Sequence, residues 1–207
     1  MPISRSVDRI AITLGDPAGI GPEVTLKTLV RLAPSRRRRI LLIGPASLYD
    51  ALARKMRLRL RFVEIDRPSV RTQDGAVPCL YPYAVPPRLE RGRPQPAWAG
   101  VTISSIDIAV SLALSGQVSA MVTAPINKAA LMGSGFRFAG HTEYLAHLAR
   151  SERCEMMLVG GPLRVVLVTR HLPLARVPGA VTATRVIETI RTTHDELIRS
   201  FGIARPR

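Results

Sequence analysis

The sequence is poor in cysteine and lysine, and each scarcity narrows the class of protein. Cys79 and Cys154 are the two cysteines among 207 residues. Two thiols make no disulfide framework, and these two lack the spacing of a metal-binding motif. We therefore expect both cysteines to be structural residues of a protein from a reducing compartment.

Long uninterrupted apolar runs are also lacking. Charged residues, proline or glycine interrupt every candidate before it reaches the roughly 18 residues that a membrane-spanning helix needs. The N-terminal segment 1–15 has too short an apolar stretch for a secretory signal. The sequence thus predicts a cytoplasmic protein with no membrane partner.

Lysine is so scarce that the basic charge comes almost entirely from arginine. The net charge is +15, and only Lys27, Lys55 and Lys128 are lysines, so the other 27 basic residues are arginines. Such a skew indicates a compositional habit rather than a nucleic-acid-binding face. The one basic run, residues 35–39, has no interleaved aromatic or glycine residue. We interpret it as a solvated turn and predict no nucleic-acid partner.

The first 65 residues alternate between two periodicities. The spacing of apolar residues predicts, in chain order, a strand at 9–15, a helix from Pro22, a strand at 39–45, a helix at 47–55 and a strand at 58–65. We expect the first helix to bury one face made of Val24, Leu26, Leu29, Val30 and Ala33. Alternation of this kind predicts a parallel α/β sheet.

Proline then interrupts this alternation. Residues 66–97 hold seven of the 17 prolines and predict an irregular excursion with a short hairpin near residues 76–85. Regular elements follow, as a helix at 97–117 closed by Gly116, a strand at 118–125, a short helix capped by Asn127 and a helix near residues 141–151. Two strands at 155–159 and 163–169 precede a last helix that ends at Gly202.

The segment "GDPAGIGPEV" (15–24) is the first that points to a ligand. A dinucleotide fingerprint needs a third glycine, which is absent after Gly19 and Gly21, and no Gly-Lys-Ser/Thr makes it a P-loop. Two interpretations remain. One is a turn lining a cleft at the carboxyl end of a strand, with the Asp16 carboxylate available there. The other is a tight turn in which Asp16 is an Asx-type cap.

The segment "FAGHTEYLAHL" (138–148) is the second. His141 and Thr142 begin a helix whose amide groups and dipole favour an anion, so they are candidates for gripping a phosphate. The alternative is an ordinary Thr142 N-cap beside a surface histidine. Lys128, after the strand at 118–125, would reach the same cleft and hold a carboxylate or phosphate, or else be a solvated lysine.

The segment "RVVLVTRHLPL" (164–174) is the third. His171 follows an apolar strand and precedes a turn fixed by Pro173. One histidine does not make a metal site, because roughly three or four ligands are required, so a structural histidine is the alternative.

Taken in order, "ITLGDPAGIGPEV", "TAPINKAAL", "GHTEYLA" and "VTRHLPL" resemble the 4-hydroxythreonine-4-phosphate dehydrogenase family of pyridoxal phosphate biosynthesis. The resemblance runs from Arg9 to the last residue. It implies an isocitrate/isopropylmalate-dehydrogenase-like α/β fold, which is a two-domain α/β/α sandwich. It also implies that the protein works as a homodimer. We place the first domain at 1–125 and the start of the second at 126–207.

The resemblance also implies the reaction and its cofactors. The family oxidises a phosphorylated hydroxy acid, 4-phosphooxy-L-threonine, with NAD or NADP, and the β-keto acid product loses CO₂. It uses a divalent metal such as Zn, Mg or Co. By resemblance, His141 and Thr142 match the substrate-binding pair and His171 matches the first of three metal-binding histidines.

One departure from the family qualifies these expectations. Family members continue past the point where this chain ends, and the later part holds the other metal histidines and much of the cofactor site. We therefore expect a C-terminally incomplete enzyme that binds metal weakly and turns over slowly or not at all. The alternatives are a D-threonate or D-erythronate 4-phosphate dehydrogenase, a cyclic-diol dehydrogenase, and a non-catalytic phosphate-binding fragment.

Overall fold

A computed structural model describes residues 9–70, 72, 75–138, 140–151 and 154–207. Residues 1–8, where we expected no secretory signal, lie outside the described residues. The chain divides into two compact units, Met1–Ala149 and Arg150–Arg207. The domain boundary expected between residues 125 and 126 stays a prediction.

The first unit is built on a five-stranded sheet. Its strands are β1 (Ile10–Thr13), β2 (Ile40–Ile43), β3 (Phe62–Glu64), β4 (Val77–Cys79) and β5 (Ala120–Val122). They are ordered β3-β4-β2-β1-β5, and every neighbouring pair is parallel. The parallel α/β sheet predicted from the alternating pattern is therefore confirmed.

Strand β4 corrects the hairpin that we expected in the proline-rich excursion. It lies between β2 and β3 and is parallel to both. Pro78 sits in its middle and has no N–H to donate. The Val77 N–H donates toward β3 and the Leu80 N–H toward β2, so by alternation the donor missing at Pro78 is one that would face β2. Three residue pairs accordingly join β4 to β3 and a single pair joins it to β2.

The helices of this unit are α1 (Gly21–Arg31), α2 (Pro34–Arg37), α3 (Ala46–Lys55), α4 (Ala99–Leu114), α5 (Lys128–Met132) and α6 (His141–Leu148). Two expectations about them are wrong. Val24 and Val30 of α1 are 51% and 44% exposed, and Ala33 is exposed too, because the face that packs on the sheet is made of Pro22, Thr25, Leu26 and Leu29. The arginine run begins inside the short helix α2 rather than forming only a turn.

Alternate residues of the strands face two helical layers. Ile40 and Leu42 pack with residues of α1 and α3, whereas Leu41 and Ile43 pack with residues of α4. This is the period of two expected of a strand buried on both faces. The sheet with helices on both sides is the α/β/α sandwich that was predicted.

Helix α4 corrects the expectation that no segment is long and apolar enough to cross a membrane. Together with the preceding 3-10 turn it forms a stretch, Pro96–Leu114, that is long and apolar enough to cross a membrane by length and composition, with a mean hydropathy of 1.6. Half of this stretch is buried, and α4 packs against β1, β2 and β5. Burial against the sheet accounts for its composition.

The second unit is small. It contains the antiparallel pair β6 (Met157–Gly160) and β7 (Leu163–Val166), then α7 (Val177–Ala180) and α8 (Ala183–Arg199). The two predicted strands and the last helix are confirmed. Thr182 caps α8 by accepting the Arg185 N–H at 3.2 Å.

Candidate functional site

The glycine-rich loop after β1 is locked against the loop after β5. The Asp16 N–H donates to the Pro125 carbonyl oxygen at 2.8 Å. Gly15 has a φ of +68°, and a Cβ on it would lie 2.5 Å from the same oxygen, so only glycine fits there. The two loops meet at the carboxyl ends of neighbouring parallel strands, the edge where such sheets place their ligand sites.

Asp16 organises this loop from within. Its Oδ1 accepts the Ala18 N–H at 2.9 Å, and its carbonyl accepts the Gly19 N–H at 3.0 Å. The Asx-type interpretation of Asp16 is therefore confirmed. One of the two carboxylate oxygens of Asp16 is therefore used in a hydrogen bond within its own loop.

The same loop does not fit a dinucleotide. A Cβ on Gly21 would lie 3.2 Å from both the Ala124 side chain and the Leu14 carbonyl oxygen. Gly15 and Gly21 thus make room for the protein's own packing, whereas a dinucleotide fingerprint uses its glycines to let a pyrophosphate approach. The structure supports the spacing argument that this segment is a turn at the site's edge and not a nucleotide cradle.

Two hydroxyl groups of α4 brace the carboxyl edge of the sheet. The Ser105 Oγ accepts the Leu14 N–H at 2.8 Å and donates to the Ile43 carbonyl at 2.7 Å. The Thr102 Oγ1 donates to the Gly15 carbonyl at 2.9 Å. Both side chains are buried. Sequence reasoning missed them, although two hydroxyl residues three positions apart on an apolar helix are a usable signal.

Helix α6 begins at His141, directly after Gly140. Gly140 occupies the N-cap position and, having no side chain, makes no side-chain cap hydrogen bond. The alternative in which Thr142 is the N-cap is therefore wrong. The first-turn amides and the dipole of an eight-residue helix suit an anionic oxygen.

His141, the first residue of α6, is half-buried rather than a surface histidine. Its Nε2 is buried and has no hydrogen-bond partner in the part of the chain that the structure describes. Burial lowers the pKa of the imidazole, which favours its neutral form at pH 7. Since buried polar atoms are normally paired, this nitrogen calls for a partner, and a ligand oxygen is a suitable one.

Tyr144 anchors α6 to α4. Its hydroxyl donates to Asp107 Oδ1 at 2.5 Å, and its ring lies 4.9 Å from those of Phe136 and Phe138. Burial first, then the hydrogen bond and charge of Asp107, raises the pKa of the phenol. Because α4 also braces the glycine loop, one helix positions both sides of the candidate site. Sequence reasoning missed this contact, which joins residues 37 positions apart.

Lys128 also reaches the start of α6. The preceding Asn127 caps α5 as predicted, with its Oδ1 accepting the Ala130 N–H at 3.1 Å. A Cβ placed on Gly140 would lie 3.7 Å from both Cε and Nζ of Lys128. Lys128, which the sequence placed in the same cleft as the pair His141 and Thr142, thus lies beside the start of the helix that carries them.

His171 belongs to the second unit. It is exposed, has a φ of 54° and lies between β7 and the 3-10 turn Leu174–Arg176. Among the described residues no three histidine, cysteine or carboxylate side chains form a group that could hold a metal. His171 supplies one donor where roughly three or four are needed, so the described residues do not fit a metal centre by themselves. Its role as a ligand, in one site with His141 and Thr142, stays a prediction.

Comparison with known proteins shows which family the chain resembles in sequence. A family model described as pyridoxal phosphate biosynthetic protein PdxA matches residues 36–207. The chain is 41% identical, over 96% of its length, to a 4-hydroxythreonine-4-phosphate dehydrogenase of Chromobacterium violaceum, of which it covers 59%.

Solved structures agree with the sequence comparison. A 4-hydroxythreonine-4-phosphate dehydrogenase from Burkholderia phymatum matches 97% of this chain with a TM-score of 0.87 at 33% identity, and 61% of that protein is covered. A terephthalate 1,2-cis-dihydrodioldehydrogenase from Burkholderia xenovorans matches 96% of the chain with a TM-score of 0.66 at 29% identity, over 59% of its own length.

The chain spans about three fifths of the length of the curated relatives it matches. Its parallel sheet, its glycine loop and the helix beginning at His141 lie within the part that they share. With the family model matching most of its residues, the chain belongs to the family of the pyridoxal phosphate biosynthetic protein PdxA.

Proposed function

We propose that this chain carries the phosphate-gripping part of a 4-hydroxythreonine-4-phosphate dehydrogenase, with the substrate phosphate bound at the N-terminus of α6. The observation that carries the proposal is the buried Nε2 of His141, at the first residue of α6, which has no hydrogen-bond partner within the described residues of this family member. A phosphate oxygen at that place satisfies the ring nitrogen and meets the amide dipoles.

The proposed reaction is the oxidation of 4-phosphooxy-L-threonine. Its secondary hydroxyl loses a proton to solvent, and the carbon that bears it loses a hydride, so that a ketone forms. NAD or NADP, when bound, supplies the acceptor for that hydride. The ketone lies β to the carboxylate, and the acid loses CO₂ to give 3-amino-2-oxopropyl phosphate.

In this scheme His141 and Thr142 bind and orient the phosphate. The neutral imidazole donates or accepts one hydrogen bond per ring nitrogen, and a hydroxyl can donate one more. Holding the phosphate fixes the distance between it and the reacting hydroxyl, which is how remote binding energy positions a reacting centre. Tyr144 and Asp107 keep the helix in place.

A divalent metal and the dinucleotide belong to the proposal only by family. His171 is proposed as one metal ligand, but the described residues supply no complete set, and we assign no step to a metal. The glycine loop does not fit the dinucleotide, so no described residue is assigned to it. A homodimer and a cytoplasmic location are further parts of this proposal.

Among the alternatives, the relatives favour the phosphorylated amino acid. The cyclic-diol enzyme is the more distant structural match, and an unphosphorylated diol leaves the anion site at α6 without a purpose. Threonate and erythronate 4-phosphates share the phosphate and are separated from 4-phosphooxy-L-threonine only by direct comparison of their binding.

The test is a calorimetric titration of the purified chain with 4-phosphooxy-L-threonine. We expect His141→Ala and Thr142→Ala each to weaken binding by about tenfold, the equivalent of a lost hydrogen bond to a charged group. His194→Ala, at an exposed position of α8, is the matched control and is expected to leave the affinity unchanged. An unmodified chain that binds neither this substrate nor inorganic phosphate contradicts the proposal.

A further inference from the structure

Lys128 places an ammonium group where a helix dipole opposes it. It is the first residue of α5, and its side chain reaches Gly140, the N-cap of α6. The N-terminal end of a helix carries a partial positive charge, so a cation beside it is unfavourable unless an anion lies between them. An arrangement of this kind is expected where an anion binds.

Glu143 supplies negative charge at the same place in the present structure. It lies in the first turn of α6, and a Cβ on Gly140 would be 3.5 Å from its Oε2 and 3.7 Å from Nζ of Lys128. The carboxylate and the ammonium therefore border one small space above Gly140. That space exists because residue 140 has no side chain.

A phosphoryl group has more charge and more oxygens to offer than a side-chain carboxylate. With one to two negative charges and three acceptor oxygens, it can meet the ammonium and the first-turn amides together. Lysine suits this task because its ammonium is a compact charge on a flexible stem that can follow the ligand.

We propose that Lys128 is a further substrate-binding residue, whose ammonium binds an anionic oxygen of the substrate phosphate, and that Glu143 holds this place until the phosphate displaces it. The inference rests on the proposed function of the α6 site. It adds the Lys128 ammonium to the phosphate-binding pair His141 and Thr142. It also makes the Glu143 carboxylate a competitor of the phosphate for the same place.

The experiment is a titration with inorganic phosphate, followed by calorimetry at fixed ionic strength. Lys128→Gln is expected to weaken phosphate binding by about tenfold, whereas Lys128→Arg, which keeps the positive charge, is expected to retain most of the affinity. Lys27→Gln, on the exposed surface of α1, removes the same charge elsewhere and is expected to change the affinity less than about twofold.

Two more variants test the space itself. Glu143→Gln is expected to tighten phosphate binding several-fold, because the competing carboxylate is gone. Gly140→Ala is expected to weaken it with Lys128 intact, because the methyl group fills the space. The φ of Gly140 is 179°, an extended backbone that alanine adopts, and its Cβ would make only ordinary contacts, so the fold should be retained.

The outcomes separate this inference from the proposed function. If the unmodified chain binds phosphate and Lys128→Gln binds it equally well, the role of Lys128 is refuted and the site at His141 and Thr142 stands. If the unmodified chain binds neither phosphate nor 4-phosphooxy-L-threonine, both proposals fail. Weaker binding by Glu143→Gln refutes the displacement of Glu143. Trp98 fluorescence of each variant checks that the first unit is folded.

Discussion

Replacing Gly15 by alanine tests the contact that joins the glycine loop to the loop after β5. Gly15 and Gly116 have the same φ, +68°, but their surroundings differ. A Cβ on Gly15 would lie 2.5 Å from the Pro125 carbonyl oxygen and 2.8 Å from the Ala124 side chain, whereas a Cβ on Gly116 would meet nothing within 4 Å. Gly116→Ala is therefore a matched control for the backbone conformation alone.

The expected magnitudes follow from this difference. Both variants lose about 1–2 kcal/mol to the left-handed backbone and regain about 0.4–1 kcal/mol from a less flexible unfolded chain. Only Gly15→Ala must also push the two loops apart, at a cost of about 1–3 kcal/mol for overpacking. Loss of the bond from the Asp16 N–H to Pro125 adds about 1–3 kcal/mol. We expect Gly15→Ala to be less stable than Gly116→Ala by about 2–6 kcal/mol.

Trp98 provides the assay. It is the only tryptophan, it is buried, and it belongs to the first unit, so its fluorescence follows the unfolding of that unit in urea. A midpoint of thermal unfolding on the order of 10 °C below that of Gly116→Ala is expected for a chain of this size. Equal stability of the two variants would refute the argument that close approach, and not φ alone, requires glycine at position 15.

Three further predictions concern Ser105 and Tyr144, which support the site, and His141 within it. Ser105→Ala leaves a buried N–H and a buried carbonyl unpaired. It is expected to lower the free energy of unfolding by about 2–3 kcal/mol in the same urea titration. The control is Ser111→Ala, at an exposed position of the same helix, which is expected to lower it by less than about 0.5 kcal/mol. Tyr144→Phe is expected to cost about 1–3 kcal/mol, since Asp107 loses its donor; unchanged stability would show that this bond contributes nothing. In an NMR titration the pKa of His141 is expected below its ordinary value of 6.5, so the unfolded chain holds more protons just below that pH and stability rises with pH there. Added phosphate should raise this pKa, because an anion favours the imidazolium, and a pKa that ignores phosphate argues against binding beside His141.

The sequence by itself determined most elements of the first unit and their order along the chain, with β4 and α2 as the exceptions. The switch from alternating to helical periodicity at Pro22, the cap at Asn127 and the stop at Gly116 are local signals, and the structure confirms them. Spacing alone also separated the glycine loop from a dinucleotide fingerprint. Such features depend on residues close in the chain, which a linear pattern records.

The tertiary structure decided what distant segments do together. The segment Val77–Cys79 was predicted to be part of a hairpin, yet it joins the sheet as a parallel strand between β2 and β3. The approach of Lys128 to Gly140, 12 positions later, depends on how α5 and α6 pack. The bond between Tyr144 and Asp107 depends on how α6 packs on α4. Contacts like these are set by burial of apolar faces, and periodicity names those faces without saying which of them meet.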